Sequence, residues 1–511
     1  MHPVPSHPVL TCAEAKAWEK AWLTDESLEW SAMQEAGAKV ALAILDDYKE
    51  IGGLPARGRI LVLAGKGHNG GDALLTARTI INERSDAKAV VVLAFGAGEL
   101  RPLAGRALDW LREQAPGRVQ ILPAGQALAT GQEYALCLDG IFGFQFRAPM
   151  DAAIAALIVQ VNKHPCIRFR AAVDLPSGMG ETSVATCFHA DFTYATGSVK
   201  YPALLPRHAA VVGRLRYVDI GLLHEDSAPD APERILLEQL LKPLAELRVT
   251  QSDKRTFGHL LIVGGSHSYP GAVVLAARAA LRSGAGLVTA FVPEKFAPEY
   301  AARHPEVMWV GCPVTATGGL APSTADLVRA RSAKATALLI GPGLGAETAT
   351  VALAAQLAGE ATVPLVLDAD ALRPEVVAHV RDKVFIGTPH AGEFERIAPA
   401  LFTEGNFTAP QGVLVLKGPL TRVTDGKTIY HSPFGGPVLA RGGSGDILAG
   451  LIGGLLAQKP DEPMLAACRG VVWHGRAADL LARAYGQVTV EISEILEQLG
   501  PALQPTPWQT P

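Results

Sequence analysis

"RILVLAGKGHNGGDALLTAR", residues 59–78, reads as an apolar strand, a glycine-rich loop and a helix. Its segment "GKGHNG", residues 65–70, fits the dinucleotide fingerprint G-x-G-x-x-G. In that fingerprint the glycines allow a tight turn and close backbone approach, and a pyrophosphate lies at the positive end of the following helix. A redox-cofactor domain also places an acidic residue at the tip of the next strand, about 20 residues on, to hold the ribose hydroxyls. That strand is "AKAVVVLAFGAG", residues 87–98, and it ends without a carboxylate. The loop instead carries Asn69 and Asp72, polar groups that a bare pyrophosphate turn does not need. The stretch therefore sets a βα unit of an α/β fold and leaves two readings of the loop open: a turn that serves packing, or a site for a dinucleotide that is not a redox cofactor.

The pattern extends in both directions. Helix-period apolar positions (Met33, Gly37, Val40, Ile44) precede the stretch, and the apolar runs "YALCLDGIFG", "CIRFRAAVDLP" and "ADFTYATG" follow it, separated by helical segments. Strands alternating with helices imply a parallel sheet covered on both faces. Around residues 221–245 the chain becomes proline-rich and acidic, which reads as a linker. The alternation restarts at "FGHLLIVGG" and runs through "GAGLVTAFVP", "ATALLIGPGLG", "VPLVLDADAL", "VFIGTPHAGEF" and "GVLVLKG". The apolar helix "GDILAGLIGGLLAQ" that comes next is too short and too interrupted for a membrane span and reads as buried. The tail "PALQPTPWQTP" is expected to be irregular. The domains expected are thus residues 1–223 and 245–500, with residues 224–244 as linker. With 511 residues, two large α/β domains fit the prior of about 150 residues per domain.

Composition narrows the function. Apolar residues make up 49% and charged residues 19% of the chain, as in a compact folded enzyme rather than a disordered protein. A net charge of −4 without a long basic run excludes nucleic acid and anionic membranes as expected partners. The six cysteines are scattered and form no CxxC pair, so neither a zinc site nor a disulfide framework is implied. The first twenty residues lack a basic region followed by an apolar core, which makes the cytoplasm the expected location.

Chemistry concentrates in "GGPVLARGGSGDILAG", residues 435–450. Glycines at 442, 443 and 445 free backbone amides ahead of a helix, an arrangement that attracts anions, and Asp446 falls in its first turn. Alone, that carboxylate reads equally as a helix-terminus stabiliser. Upstream, "VLVLKGPLTRVTDG" sets Lys417 just after a strand, a position suited to phosphates, while "IGPGLG" and "LDADAL" bring glycines and carboxylates to other strand ends. In an open parallel sheet those ends are where ligands bind.

These residues resemble the ribokinase-like superfamily and, within it, the NAD(P)H-hydrate dehydratases. "VGGSHSYPGA", "ARAALRSGAGLVT", "GPGLG", "PLVLDADAL", "TPHAGEF" and "GGSGDILAG" occur in the family's order over about residues 245–495. The resemblance implies that Ala272, Gly343, His390 and Asp446 line the hydrated nicotinamide substrate, with Asp446 as the base. It also implies that Lys417, Gly418, Pro419, Leu420, Thr421 and Gly445 hold ADP as phosphoryl donor, and that Glu393 lies in a magnesium region. Taken singly, His390 reads as a structural histidine; only the motif gives it a substrate role. The family's "PHPGE" is here "PHAGE", with Ala391 in place of proline.

The opening loop then finds a parallel in NAD(P)H-hydrate epimerases, whose loop "NNGGDG" is here "HNGGDA". "SAMQEAG", "LDGIFG" and "VDLPSG" extend this resemblance over about residues 10–222. It implies that His68, Asn69, Gly70, Gly71, Asp72, Gly143 and Asp174 bind the hydrate, that Asp174 is the acid/base, and that Asn69, Asp139 and Ser177 hold potassium. An all-oxygen set suits that hard cation. Lys200, in "TGSVKYPAL", reads either as a site lysine or as a solvated one. Ala73 replaces a loop glycine and requires a negative φ. Phe144 and Phe146 replace small positions, so a changed wall around the site and slower epimerisation are expected. The whole is a two-domain α/β protein, a Rossmann-like domain followed by a ribokinase-like domain, each a three-layer sandwich around a parallel sheet. It is expected to act on hydrated NADH and NADPH as a homo-oligomer. The alternatives are a ribokinase-like small-molecule kinase, marked by a stable phosphorylated product, and a non-catalytic N-terminal binding module, marked by hydrate binding without epimer interconversion.

Overall fold

A computed structural model describes residues 4–122, 128–129, 131–181, 186–223 and 229–509. In the N-terminal half seven strands form one wholly parallel sheet. Arg59–Ala64 lies inside it between Lys88–Leu93 and the central strand Leu136–Gly140, and Val119–Leu122 and Arg214–Val218 are the edges. The strands are buried on both faces, as their unbroken apolar runs require: Ile60, Val62 and Ala64 join one core and Leu61 and Leu63 another. The C-terminal half repeats the scheme. Leu260 and Ile262 pack on one side of its sheet, Leu261 and Val263 on the other. The α/β, two-sandwich expectation holds.

The C-terminal sheet is nevertheless mixed. Its seven strands from Met308–Cys312 to Gly412–Leu416 are parallel, but Arg422–Thr424 and Ile429–His431 follow as an antiparallel meander. The connection at residues 417–421 is too short for a crossover, which needs a dozen residues or more, so only a hairpin can form.

The apolar helix Ser444–Gln458 is buried, as its composition demands. It crosses helix Pro270–Arg282 so closely that a Cβ on Gly450 would sit 2.2 Å from the Ala276 carbonyl oxygen. No helix among the described residues is long and apolar enough to cross a membrane.

The linker expectation needs correction. Residues 224–228 lie outside the described residues, but Glu233–Leu236 is a strand and Glu238–Ala245 a 3₁₀ helix, with Ile235, Leu236 and Leu240 buried. The apolar run "RILLEQLL" has surface to bury, and it does so in the C-terminal sheet. Glu233–Leu236 pairs with Ile429–His431 on one side and on the other with Ser6–Leu10, from the very start of the chain. Ser6–Leu10 in turn pairs with Val199–Lys200 of the N-terminal half. The two halves thus share a continuous sheet edge.

The tail crosses in the opposite direction. Trp508 is buried in the N-terminal core, and its indole N–H donates to Asp46 at 3.1 Å. The tail is therefore irregular beyond the turn Pro501–Leu503, as expected, yet fixed. Trp508→Ala should cost about 3 kcal/mol, the lower range for removing a buried aromatic ring. Urea unfolding followed by a probe in the N-terminal half checks this; an unchanged midpoint would show that the tail is only laid on the surface.

A buried ionic network completes the interface. Arg216 reaches Asp47 at 2.9 Å and Asp479 at 3.0 Å, Arg214 reaches Glu50 at 2.6 Å, and Arg483 reaches Asp47 at 2.8 Å. Burial would push the Asp47 carboxyl up, but Arg216 and Arg483 outweigh it and hold it well below the usual carboxylate range. Every buried charge here has an opposite partner, the condition for such a network to be tolerated.

Candidate active sites

In the C-terminal half, strand ends and one helix terminus converge on Lys417. This residue leaves strand Gly412–Leu416, and its ammonium lies 3.0 Å from Asp368 and 3.8 Å from Glu393. A Cβ on Gly445 would stand 3.2 Å from the same Nζ. Burial pulls Lys417 down, but Asp368, Glu393 and Asp446 outweigh it and raise it, so the side chain is a fixed cation.

Gly443 caps helix Ser444–Gln458 at φ 94°, a left-handed conformation open to glycine, and the first turn of that helix lies beside Lys417. Asp446 lies in that first turn. Desolvation, and after it the charge of Asp368, raise its carboxyl to about 7 against the pull of Lys417. A carboxyl that titrates near neutrality at a helix N-terminus is poised to exchange a proton.

His390 performs the structural task that it suggests when read alone. It is the N-cap of helix Ala391–Leu401, its Nδ1 accepting from the amides of Gly392 and Glu393 at 3.1 and 3.3 Å. Since Nδ1 accepts, the assigned proton sits on Nε2, and with the side chain 61% exposed that nitrogen can still meet a ligand. Gly343, at φ 65°, is fitted against Ala272: a Cβ on it would meet that of Ala272 at 2.9 Å. One turn on from Ala272, Leu275 packs against Gly443, which links this pair to the Asp446 helix. Of the expected nucleotide residues, Thr421 turns back on its own loop, where its hydroxyl donates to the Gly418 carbonyl.

The N-terminal site answers the question posed by the glycine-rich loop. A Cβ on Gly65 would stand 1.9 Å from the Ile141 carbonyl oxygen, and one on Gly70 would stand 2.1 Å from that of Gly65. These two glycines fit protein against protein, so the fingerprint match reflects packing between the loop and the neighbouring strand. Ala73 is inside helix His68–Glu83 and is not among the residues with positive φ, which removes the objection to it.

The polar residues of the loop point into a buried group. Asn69 and Asp72 each hold a buried polar atom without a hydrogen-bond partner. Burial, then the charges of Asp174 and Glu19, push the Asp72 carboxyl well up. Asp139 is fully buried; it accepts from the Ser177 hydroxyl at 2.6 Å and from the Ser177 amide at 2.7 Å. Burial raises it to about 6, only partly offset by those bonds, with no cationic residue among its causes. A desolvated carboxylate and a hydroxyl fit a hard monovalent cation, which would supply the missing positive charge; the unused Asn69 atom is Nδ2, a donor, so that carboxamide would join the set only with its oxygen turned inward.

Asp174 sits just past strand Arg170–Val173 at φ 68°, rare for a residue with a side chain, in a tight turn closed by the Leu175 amide on the Val173 carbonyl. Such strain persists where surroundings fix it. Here the Phe144 amide donates to one carboxylate oxygen at 3.0 Å and Lys200 to the other at 2.5 Å. Lys200 is fully buried and also donates to the Thr196 carbonyl at 2.9 Å, which excludes the solvated alternative. The Phe144 ring is buried 4.9 Å from the Lys200 ammonium, and Phe146 packs on Phe142. The loop departure thus turns one ring into the core and uses its amide to hold Asp174.

Two matches to protein families decide the affiliation. A family described as NAD(P)H-hydrate dehydratase matches residues 260–500, and one described as YjeF-related protein N-terminus matches residues 30–201. The bifunctional NAD(P)H-hydrate repair enzyme Nnr of Moorella thermoacetica is 34% identical over 496 residues, 91% of each chain. The enzyme of the same name from Gloeobacter violaceus is 36% identical over 500 residues, 92% of this chain and 93% of its own. The chain belongs to the bifunctional NAD(P)H-hydrate repair enzymes. Among solved structures, an ADP/ATP-dependent NAD(P)H-hydrate dehydratase from Bacillus subtilis is 28% identical, covering 52% of this chain and 96% of its own at a TM-score of 0.42.

In this repair-enzyme chain three residues join the sites without having been singled out from sequence. Asp368 was seen only as part of a strand-end motif, and no local pattern says that it pairs with Lys417. His474, in helix Pro463–Tyr485, lies 3.5 Å from Ser444 at the start of the Asp446 helix; burial, with help from Lys417, lowers it to about 4 and keeps it neutral. Glu19, in helix Cys12–Trp22, is raised to about 7 by burial and by Asp174 against Lys200, which places it at the N-terminal site.

Proposed function

We propose that the chain repairs hydrated NADH and NADPH in two steps. The C-terminal half dehydrates the S epimer of the hydrate with ADP as phosphoryl donor, and the N-terminal half interconverts the R and S epimers. The observation that carries this reading is the Asp446 carboxyl, held near neutrality at a glycine-capped helix terminus beside the fixed Lys417 cation. Hydroxide leaves a nicotinamide ring poorly, whereas a phosphorylated hydroxyl leaves easily. Asp446 takes the proton of the hydrate hydroxyl as that oxygen bonds to the β-phosphorus of ADP, the bond to the α–β bridging oxygen breaks and AMP leaves. Lys417 and the amides around Gly445 stabilise the charge on the transferred group. Phosphate then departs with the oxygen while the adjacent ring carbon loses a proton, which re-forms the double bond of the reduced nicotinamide. His390, Ala272 and Gly343 line the nicotinamide side, and residues 417–421 the nucleotide side. A magnesium ion near Glu393 would offset phosphate charge.

In the N-terminal half Asp174 is the acid/base, positioned by Lys200 and the Phe144 amide, with Asn69, Asp139 and Ser177 as the oxygen set for potassium. Because Asp174 is already held by two donors, epimerisation should proceed in spite of the altered "DGIFGFQF" loop. Dehydration should require ADP or ATP strictly. The check is recovery of absorbance near 340 nm from purified S hydrate; full-rate recovery in nucleotide-free, chelated buffer would sink the phosphorylation route.

A further inference from the structure

We infer that the base of the adenine nucleotide lies between the two halves of the chain, with residues 203–215 of the N-terminal half as one wall of its pocket. The inference rests on the ADP-dependent reading above and adds to it a contribution from the other half.

A cavity of about 390 Å³ opens where the halves meet, within the range of about 300 to 1,000 Å³ usual for small-molecule sites. Lys417, Gly418, Pro419 and Leu420, four of the residues assigned to the nucleotide, line one side. Leu204, Leu205, Pro206, Ala209 and Val212 line the other, and Phe434 closes the end. The walls are apolar, yet Arg214, Lys417 and Arg422 also reach the cavity and no carboxylate lines it among the described residues. Apolar walls with only positive charge select a flat ring joined to an anion. That describes a nucleotide whose phosphates run to Lys417 and Gly445 and whose base is held between Leu420 and the Leu205–Ala209 side.

The position of this wall is fixed at both ends. At one end, residue 200 is Lys200, bonded to Asp174; the turn Tyr201–Leu204 follows at once. At the other, Arg214 bonds Glu50, Asp479 and the Gly435 carbonyl, clamping the wall to the C-terminal half. A dehydratase without this N-terminal half would bind the base with one wall open.

The test uses the full-length protein and ADP as the probe. In calorimetry, Ala209→Trp, which fills the cavity from an exposed position, and Leu205→Asp, which puts a carboxylate beside the base, should each raise the Kd for ADP about tenfold or more. The ligand-free melting temperature and the rate of hydrate epimerisation should stay at wild-type values. Independently of any variant, irradiation with 8-azidoadenosine diphosphate should label peptides from residues 201–215 as well as 416–435, and excess ADP should suppress both. An ADP Kd within about twofold of wild type in both variants, or label confined to the C-terminal peptides, would overturn the inference. Wild-type protein that binds no ADP would overturn the ADP-dependent reading itself, and this inference with it.

Discussion

Asp446→Asn is expected to lower the rate of dehydration by about 10² to 10⁴, the usual contribution of a positioned acid or base, while ADP and hydrate still bind. The replacement is nearly isosteric, so the helix terminus and Lys417 keep their places. The same carboxyl fixes the pH profile. It titrates at about 7 in the folded protein and must be ionised to accept a proton, so wild-type turnover rises with pH to a plateau above about 7. A profile flat from about pH 5 to 8, or a variant that keeps more than about a tenth of the rate, would remove Asp446 from the role of base. Stability must move the other way. The folded value of about 7 lies above the unfolded aspartate value of about 3.9. The folded state therefore holds this proton more tightly, and stability from this group is lost as pH rises through about 7. Asp446→Asn should accordingly melt higher than wild type at about pH 8, the mark of a site group placed for chemistry at the expense of the fold.

Asp174→Asn is expected to abolish interconversion of the hydrate epimers, again by about 10² or more, and to leave dehydration of pure S hydrate within about twofold of wild type. Asparagine tolerates the left-handed backbone at this position, so the turn survives. What does not survive is the counter-charge of the fully buried Lys200, and breaking such a pair costs about 3–5 kcal/mol. Loss of activity could then reflect loss of structure, and a second variant separates the two. Asp174→Asn with Lys200→Met removes both charges, since methionine fills the lysine stem without its ammonium. The double variant should recover most of the stability of the single one and none of its epimerisation. Epimers are followed by chromatography, starting from pure R hydrate. Interconversion restored in the double variant would mean that Asp174 matters only as a partner of Lys200.

The sequence discloses what is local. The strand, loop and helix at residues 59–78, the glycines before Asp446 and the Lys417 strand end are short-range patterns, and the structure forms each of them. It conceals what depends on which strand ends meet. Nothing around Asp368 or Lys200 states that each is one half of a buried pair. The flanking apolar residues of "TGSVKYPAL" are the only signal, because a lysine inside a strand core must find a counter-charge. The fingerprint G-x-G-x-x-G points the wrong way for a related reason: glycine marks close approach without saying to what, and at Gly65 and Gly70 the neighbour is the protein's own backbone. The strand Ser6–Leu10 escapes notice because Pro5 and Pro8 argue against a strand, and it forms because both of its partners come from far along the chain.

The crossing of the two termini bears on how the protein is made. Residues up to 223 hold every strand of the first sheet, yet that half's core still waits for Trp508, made almost 300 residues later. The second sheet is in the mirror situation, its strand Ser6–Leu10 being made before any other part of it. The first half therefore reaches its final packing only once the segment that carries Trp508 has been made. Splitting the gene at residues 224–228 would leave each product carrying a segment that belongs to the other. Two genes could replace this one only if their products bound each other through those segments, which keeps an epimerase and a dehydratase in one-to-one ratio.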